Sequence, residues 1–509
     1  MFLVLAALPM VAFAADADLA GMIQGGNRDA ALAAVRSGAN VNVAQGDGST
    51  PLHWAVYKVD TELTRELLKH GADPNVKSSL GATPLAEAAK LANVELVQLL
   101  IKARADVNEA NEDDQTPLML AARTGSVAVA DLLVRAGAKV NARESWREQT
   151  ALMWAAGSGQ SDMTAYLIKH HADVEARAAA NDWPNQVTSE PRAQYRPTGG
   201  MTPLLYAIRA DCMACVQSIL KAGADLQRPT PDGVSPLMAA IDNLRFDMAN
   251  YLLDQGANPH VADWWGRTPL YIAVDMRSFS NRFLIGAANT PAEGAAPPNQ
   301  AAALQMMQRL LDAGADPNIQ LNMHRPGRGG NSGRFTDDLL TTGASPLLRA
   351  AISFDSEAID LLLKHGAIVD LPNAMGVTPL MAASGLGVSQ RDTRGSYGPD
   401  AQDKSLVVLD QLIKAGANVN ARVLDTSGHT ALIARPSSMT TRQGQTAIFG
   451  AINWGWPKVV KFLLDNGADV TVKDAAGKTV ADAVAGKAGG RDFKAVEEVA
   501  TLIKKAGGA

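Results

Sequence analysis

The sequence predicts an all-α chain, a solenoid of about twelve stacked helix–turn–helix units. Three observations carry that prediction. A helix-ending phrase, Gly-Ala-Asp or Gly-Ala-Asn, returns throughout the chain, at a step of 33 or 34 residues in the early units. A helix-starting phrase, Thr-Pro-Leu, returns between its copies. Only 5% of the 509 residues are aromatic, while Ala and Leu are plentiful, which favours many small, similar helical contacts over one large core.

The ending phrase is anchored at Gly38, Gly71, Arg104, Gly137, His171, Gly223, Gly256, Gly314, Gly366, Gly416, Gly467 and Gly507. Successive steps are 33, 33, 33, 34, 52, 33, 58, 52, 50, 51 and 40 residues. The starting phrase stands at Thr50, Thr83, Thr116, Thr202, Thr268 and Thr378, with Ser235 and Ser345 as variants; Ala151 and Ala447 replace its proline elsewhere. Thr or Ser at this place caps a helix by accepting a backbone N–H that has no intrahelical partner. Proline in the first helical position needs no such partner and arrives with helical φ. Glycine after the last turn adopts the left-handed conformation that ends a helix. Each unit is therefore a short helix such as PLMLAART, a turn, a longer helix such as VAVADLLVRA, and an extended link.

These units resemble ankyrin repeats. Residues 48–55, Gly-Ser-Thr-Pro-Leu-His-Trp-Ala, and 67–75, Leu-Leu-Lys-His-Gly-Ala-Asp-Pro-Asn, match that consensus almost throughout. The resemblance implies a curved solenoid of helix pairs with β-hairpin fingers along one edge, and a function in binding, not catalysis. Arg104 and His171 replace the helix-stopping glycine, at a cost of about 1 kcal/mol each if the left-handed turn is kept.

The expected organisation is a signal peptide over 1–14 and one ankyrin-repeat solenoid over 15–509. Residues 16–45 form the N-terminal cap repeat, 46–474 the central repeats and 475–509 the C-terminal cap repeat. The run Phe2–Ala14 carries no charge, and Ala12-Phe13-Ala14 is a small-x-small cleavage site followed at once by a polar segment. It predicts export to the periplasm or beyond. No Lys or Arg precedes the run, and a buried first helix is the alternative. No later stretch is long and apolar enough to span a bilayer.

Insertions are expected at 177–199, 319–342 and 421–443, at the finger edge, and at 276–301 and 385–405, between the helices of one unit. Their Gly, Pro, Asn and Ser content predicts loops and not extra helices. The finger insertions are basic, with Arg177, Arg192 and Arg196, then His324, Arg325, Arg328 and Arg334, then Arg422, Arg435 and Arg442. This charge either meets an acidic partner or keeps long loops soluble.

Composition excludes a nucleic-acid binder: 47 basic residues are outweighed by 52 acidic ones, and the net charge is −5. No H-E-x-x-H, G-x-S-x-G or P-loop is present, so neither cofactor nor metal is implied. The two cysteines, Cys212 and Cys215, form a C-x-x-C. Cys215 takes a core-facing slot filled elsewhere by Val94, Val127 or Met248, and Cys212 sits in the turn before the second helix. Helix packing, a local disulfide and redox chemistry are the readings it allows. His53 belongs to the Thr-Pro-Leu-His phrase and acts locally. Trp54 and Trp154 read as core, and Trp454 and Trp456 as packing at a helix turn.

The remaining tryptophans mark the candidate surface. Trp264 and Trp265 precede Gly266 at a finger tip, and Trp146 precedes Arg147 at the equivalent tip. Trp183 and Tyr195 lie in the first finger insertion. The expected partner-binding residues are Trp146, Arg147, Trp183, Arg192, Tyr195, Arg196, Trp264, Trp265 and Arg267, with a protein as partner. The alternative use of these rings is to pin neighbouring loops. Rival functions are glycan or cell-wall binding by ring stacking, and an enzyme site assembled from the long loops.

Overall fold

The computed structural model describes residues 18–182, 197–277, 300–322, 342–386, 400–424, 442–485 and 493–507. The first seventeen residues and the interiors of the five insertions lie outside them. With those segments fall the expected signal peptide and Trp183, Arg192, Tyr195, Arg196, His324, Arg325, Arg328, Arg334 and Arg435.

Twenty-four helices occur among the described residues, in twelve consecutive pairs. They fall into two compact units, one of residues up to 180 with 199–225, the other of 181–198 with 226 onward. The first unit holds α1 (Leu19–Gln24) and α2 (Arg28–Arg36), α3 (Pro51–Tyr57) and α4 (Thr61–Lys69), α5 (Pro84–Lys90) and α6 (Val94–Lys102), α7 (Pro117–Thr124) and α8 (Val127–Arg135), α9 (Ala151–Gly157) and α10 (Ser161–Lys169), and α11 (Pro203–Arg209) and α12 (Met213–Lys221). The second holds α13 (Pro236–Asp242) and α14 (Phe246–Asp254), α15 (Pro269–Arg277) and α16 (Gln300–Asp312), α17 (Pro346–Ile352) and α18 (Ser356–Lys364), α19 (Pro379–Ala383) and α20 (Ala401–Lys414), α21 (Ala447–Trp454) and α22 (Pro457–Asp465), and α23 (Val480–Ala485) and α24 (Phe493–Lys505). The fold is the all-α ankyrin-repeat arrangement expected from the sequence.

The starting phrase does what its chemistry dictates. The Thr83 hydroxyl accepts from the Ala86 N–H at 3.1 Å, and Ser345 accepts from Leu348 at 3.2 Å. Three residues after the proline's partner leucine comes an alanine: Ala55, Ala88, Ala121, Ala155 and Ala207 in the first unit are all fully buried. A methyl side chain there lets adjacent first helices pack closely. Larger residues fill the space around them, with Leu52, Val56, Leu63, Leu67, Leu85 and Leu96 in one continuous core.

His53 extends the cap. Its Nδ1 accepts from the Thr50 N–H at 3.1 Å, so Nε2 carries the proton and donates to the Ala82 carbonyl at 3.0 Å. One ring thus closes its own helix and ties it to the next repeat. Burial holds its pKa below the ordinary histidine value, since the charged form loses solvation.

The anchors all adopt positive φ, including Arg104 at 67° and His171 at 64°. A Cβ at Gly71 or Gly137 would meet nothing within 4 Å. The position therefore demands a conformation and not an absence of side chain. That is why Arg and His fit here, at the cost of the left-handed turn alone.

Beyond six of the anchors, an Asn links one repeat to the next. Asn108 Nδ2 donates to the Gly137 carbonyl at 3.1 Å, and its Oδ1 accepts from the Lys139 N–H at 2.8 Å. Asn42, Asn75, Asn141, Asn318 and Asn420 make the same two bonds. Gln227 reproduces both, to Gly256 and Asn258. Glu175 and Asp370 supply an acceptor to Asp225 and Asn418.

Two expectations change. The insertions at 276–301 and 385–405 are partly helical: α15 runs on to Arg277, α16 begins at Gln300 and α20 at Ala401. Ala303, Ala401 and Ser405 are buried, so core contact draws these segments into helix. The fingers are mostly hydrogen-bonded turns and not strand ladders. Among the described residues, strands occur only as β1 (Ala180–Asp182) paired with β2 (Pro197–Gly199), besides one bridge between Lys473 and Thr479.

Candidate functional site

The finger tips of the first unit form a row. Each finger closes on itself, as where Ser78 N–H donates to the Ala82 carbonyl at 3.0 Å. Tips are then bonded sideways: Ser79 N–H to Asp47 O at 2.8 Å, Ser145 N–H to Asp113 O at 2.9 Å, and Ala179 N–H to Arg147 O at 2.7 Å. A Cβ on Gly81 would lie 2.7 Å from the Glu112 backbone nitrogen, so glycine is needed for this approach.

Exposed along the row are Asp47, then Leu80, then Glu112, Asp113 and Asp114, then Trp146 and Arg147. Leu80 is 74% exposed and Trp146 72% exposed, the two largest values among the big apolar side chains of the described residues. Trp146 is held from below. The Glu144 carboxylate, itself buried, accepts from the N–H groups of Trp146, Arg147 and Gln149 at 2.8–3.0 Å. The Arg147 guanidinium lies 5.2 Å from the Trp146 ring centroid, a cation–π contact that covers one ring face.

The first helices carry a second row of aromatic and cationic groups. Trp54 donates to Gln45 Oε1 at 2.8 Å and meets Tyr57 edge-on. Arg123 lies over Trp154, and Arg209 over Tyr206, whose hydroxyl accepts from Gln149. Trp54 and Trp154 are thus half-buried and pack against the edge of the core.

In the second unit, adjacent tryptophans part company. Trp264 is 42% exposed, whereas Trp265 is 6% exposed and leaves the set of surface anchors. The Trp265 carbonyl accepts from the Asn322 N–H at 2.8 Å, and its ring lies under the Arg267 guanidinium. Arg267 is buried as well, and Arg267 Nε donates to Asp263 Oδ2 at 2.7 Å. Burial pushes the Asp263 carboxyl up despite Arg267 beside it. Burial also pulls the guanidinium down, but Asp242, Asp263 and Asp275 outweigh it and hold its pKa above the ordinary value. Arg267 is therefore a structural cation. Nearby, Arg349 Nε donates to Asp275 at 2.7 Å, and Arg277 bonds Asp355 and Glu357.

Cys212 and Cys215 are joined as a disulfide. Cys215 lies at the third position of α12, aligned with Leu96, Val129 and Met248. The expected slot is therefore right for Met248 and two residues off for Val94 and Val127. Trp454 stacks on Trp456, and its Nε1 donates to the Gly385 carbonyl at 3.0 Å; Trp456 meets Phe354 edge-on. Among the described residues, no group of His, Cys, Asp and Glu is placed to hold a metal ion, and no helix is long and apolar enough to cross a membrane.

The sequence pointed to Trp146, Arg147 and Trp264 but passed over Leu80 and the acidic tip. The signal was there: Leu80 is a large apolar residue directly before a finger-tip glycine, where Asp47 and Asp232 stand in other repeats.

Comparison with known proteins places these features in context. A profile of three consecutive ankyrin repeats matches residues 19–111, 88–178, 184–263 and 215–291, and the single ankyrin-repeat profile matches 443–475. Ankyrin repeat and SOCS box protein 16 of Homo sapiens is 28% identical over 258 residues, covering 46% of this chain and 48% of its own length. Inversin of Gallus gallus is 33% identical over 79 residues, 16% of this chain and 7% of its own length. The chain spans less than half the length of these curated relatives.

Proposed function

Because the chain belongs to the ankyrin-repeat family, whose members generally serve as non-catalytic protein-interaction modules, we propose that it is a scaffold whose first-unit finger row grips a protein partner. The observation that carries this reading is the pair of exposed anchors, Leu80 and Trp146, on one row of finger tips, where the acidic tip between them approaches Gly81 closely and is hydrogen-bonded to the Trp146 finger. Exposed large apolar side chains held on rigid backbone make interface anchors because little entropy is lost when they bind.

Between the anchors stand Glu112, Asp113 and Asp114, all exposed. The partner segment that fits has two apolar side chains flanking Lys or Arg. This reverses the sign expected from the basic insertions, most of whose residues lie outside the described ones. Arg147 stays in the proposed site beside Trp146, and Trp264 marks a separate tip in the second unit.

A photo-crosslinking residue at position 80 tests the idea, with one at exposed Val407 on α20 as control. The expected product is a discrete protein adduct from position 80 that is lost on Trp146→Ala. Equal adducts from both positions, or a glycan in place of a protein, would reject the reading. Replacing Glu112 and Asp113 by Lys should slow association and remove its salt dependence.

We also propose that the chain is exported. The uncharged run Phe2–Ala14 and its small-x-small site support this, as does a disulfide, which persists in oxidising compartments. A mature N-terminus at Ala15, read by mass spectrometry from the native host, is the expected result; an intact Met1 in the isolated protein would contradict it.

A further inference from the structure

The Cys212–Cys215 bond is built asymmetrically. Cys212 is the N-cap of α12, a nine-residue helix, at the position held in earlier repeats by Asp60, Asn93, Ser126 and Gln160. Its sulfur accepts from the Cys215 N–H at 3.2 Å, as the Asp60 and Asn93 oxygens accept from Leu63 and Leu96. Cys212 is partly exposed. Cys215 is 0% exposed, in the core slot used by Leu63, Leu96, Val129 and Met163. The Thr164 hydroxyl of α10, which donates to the Gln160 carbonyl, lies 3.7 Å from the Cys215 sulfur.

We propose that this pair is a thiol–disulfide exchange centre, with Cys212 as the attacking and attacked sulfur and Cys215 as the resolving one. Three observations support the assignment of roles. Cys212 is the partly exposed member of the pair, whereas Cys215 is fully buried. The Cys212 thiolate would sit where backbone N–H groups of a helix end favour negative charge. The buried Cys215 has Cys212 and the Thr164 hydroxyl beside it, so Cys212 is the sulfur that an external thiol reaches first.

The chemistry balances with a thiol reductant as co-reactant. An external thiolate attacks the Cys212 sulfur and forms a mixed disulfide. The Cys212–Cys215 bond breaks, its electron pair goes to the Cys215 sulfur, and that sulfur takes up a proton. A second thiolate attacks the external sulfur of the mixed disulfide, releasing Cys212 as a thiolate and an oxidised external disulfide. Two thiols are oxidised and one disulfide is reduced. In reverse, the Cys212 thiolate attacks an external disulfide, and Cys215 resolves the adduct. The helix survives both states because the Cys212 sulfur remains the cap acceptor.

Two variants that copy neighbouring repeats keep the test clear of misfolding. Cys215→Val places the Val129 side chain in the slot, and Cys212→Ser places at the N-cap position the residue found at Ser126. The full chain is incubated with glutathione disulfide under native conditions and adducts are read by mass spectrometry. Cys215→Val should form a stable mixed disulfide at Cys212, at least about tenfold faster than Cys212→Ser reacts at Cys215. Dithiothreitol should reduce the wild-type bond while the circular dichroism stays native. Equal rates in the two variants, or wild-type reduction only after denaturant is added, would overturn the proposal. The wild-type measurement stands even if either variant fails to fold.

Discussion

Asn108→Ala removes one rung of the ladder between repeats. The side chain donates to Gly137 O at 3.1 Å and accepts from Lys139 N–H at 2.8 Å. Each bond at this partly solvated place contributes about 0.5–1 kcal/mol, so the variant should lose about 1–2 kcal/mol. For a unit of this size that lowers the thermal midpoint by about 2–8 °C. Because a repeat stack is held by nearest-neighbour interfaces, the loss falls on coupling between the third and fourth repeats. Amide hydrogen exchange reads it directly, since the Lys139 N–H loses its acceptor and should exchange faster. The substitutes found elsewhere in the chain rank the other variants. Asn108→Gln should retain most stability, as Gln227 makes both bonds, and Asn108→Asp should fall between Gln and Ala. Unchanged Lys139 exchange together with an unchanged midpoint in Asn108→Ala would refute the reasoning.

His53 makes first-unit stability depend on pH. Burial lowers its pKa in the folded chain, so on acidification the unfolded chain takes up the proton first. Its contribution is complete above the unfolded value near 6.5 and is lost as pH falls from there towards the folded value. His53→Gln keeps a cap acceptor at this third helical position without a titrating ring; urea unfolding at pH 7.5 and pH 5 should show a smaller acid loss in the variant, and equal losses would contradict the assignment. Arg104→Gly and His171→Gly should each stabilise by about 1 kcal/mol, because both residues hold positive φ with no compensating need for a side chain. Chemical denaturation checks this, and a loss of stability would show that the side chains hold the repeat in a way their backbone does not reveal.

Much of the fold was legible because its determinants are local. A cap oxygen, a proline and a left-handed stop act within one turn of helix, so Thr83-Pro84-Leu85 and Gly71 announce their roles without tertiary information. Tertiary context was needed for the rest. Trp264 and Trp265 look alike in sequence, yet their fate turns on which finger-tip residue bonds the next finger. That residue is Trp265, through its carbonyl to Asn322, and its ring is drawn inward under Arg267. Arg267 looked like surface charge because Asp263, Asp242 and Asp275 converge on it only after folding. The helical starts at Gln300 and Ala401 were hidden because these segments gain helix only against the core, where Ala303, Ala401 and Ser405 are buried. The cysteines left several readings open because spacing alone does not bring two sulfurs together.

The central claim is that Leu80 and Trp146 grip a protein together. The most direct measurement is the dissociation constant of the crosslinked partner, purified, for wild type and for the Leu80→Ser/Trp146→Ala double variant. Two anchors of ordinary strength predict a rise of at least about 100-fold, with an unchanged unfolding midpoint. A correctly folded double variant that binds as tightly as wild type would contradict the account.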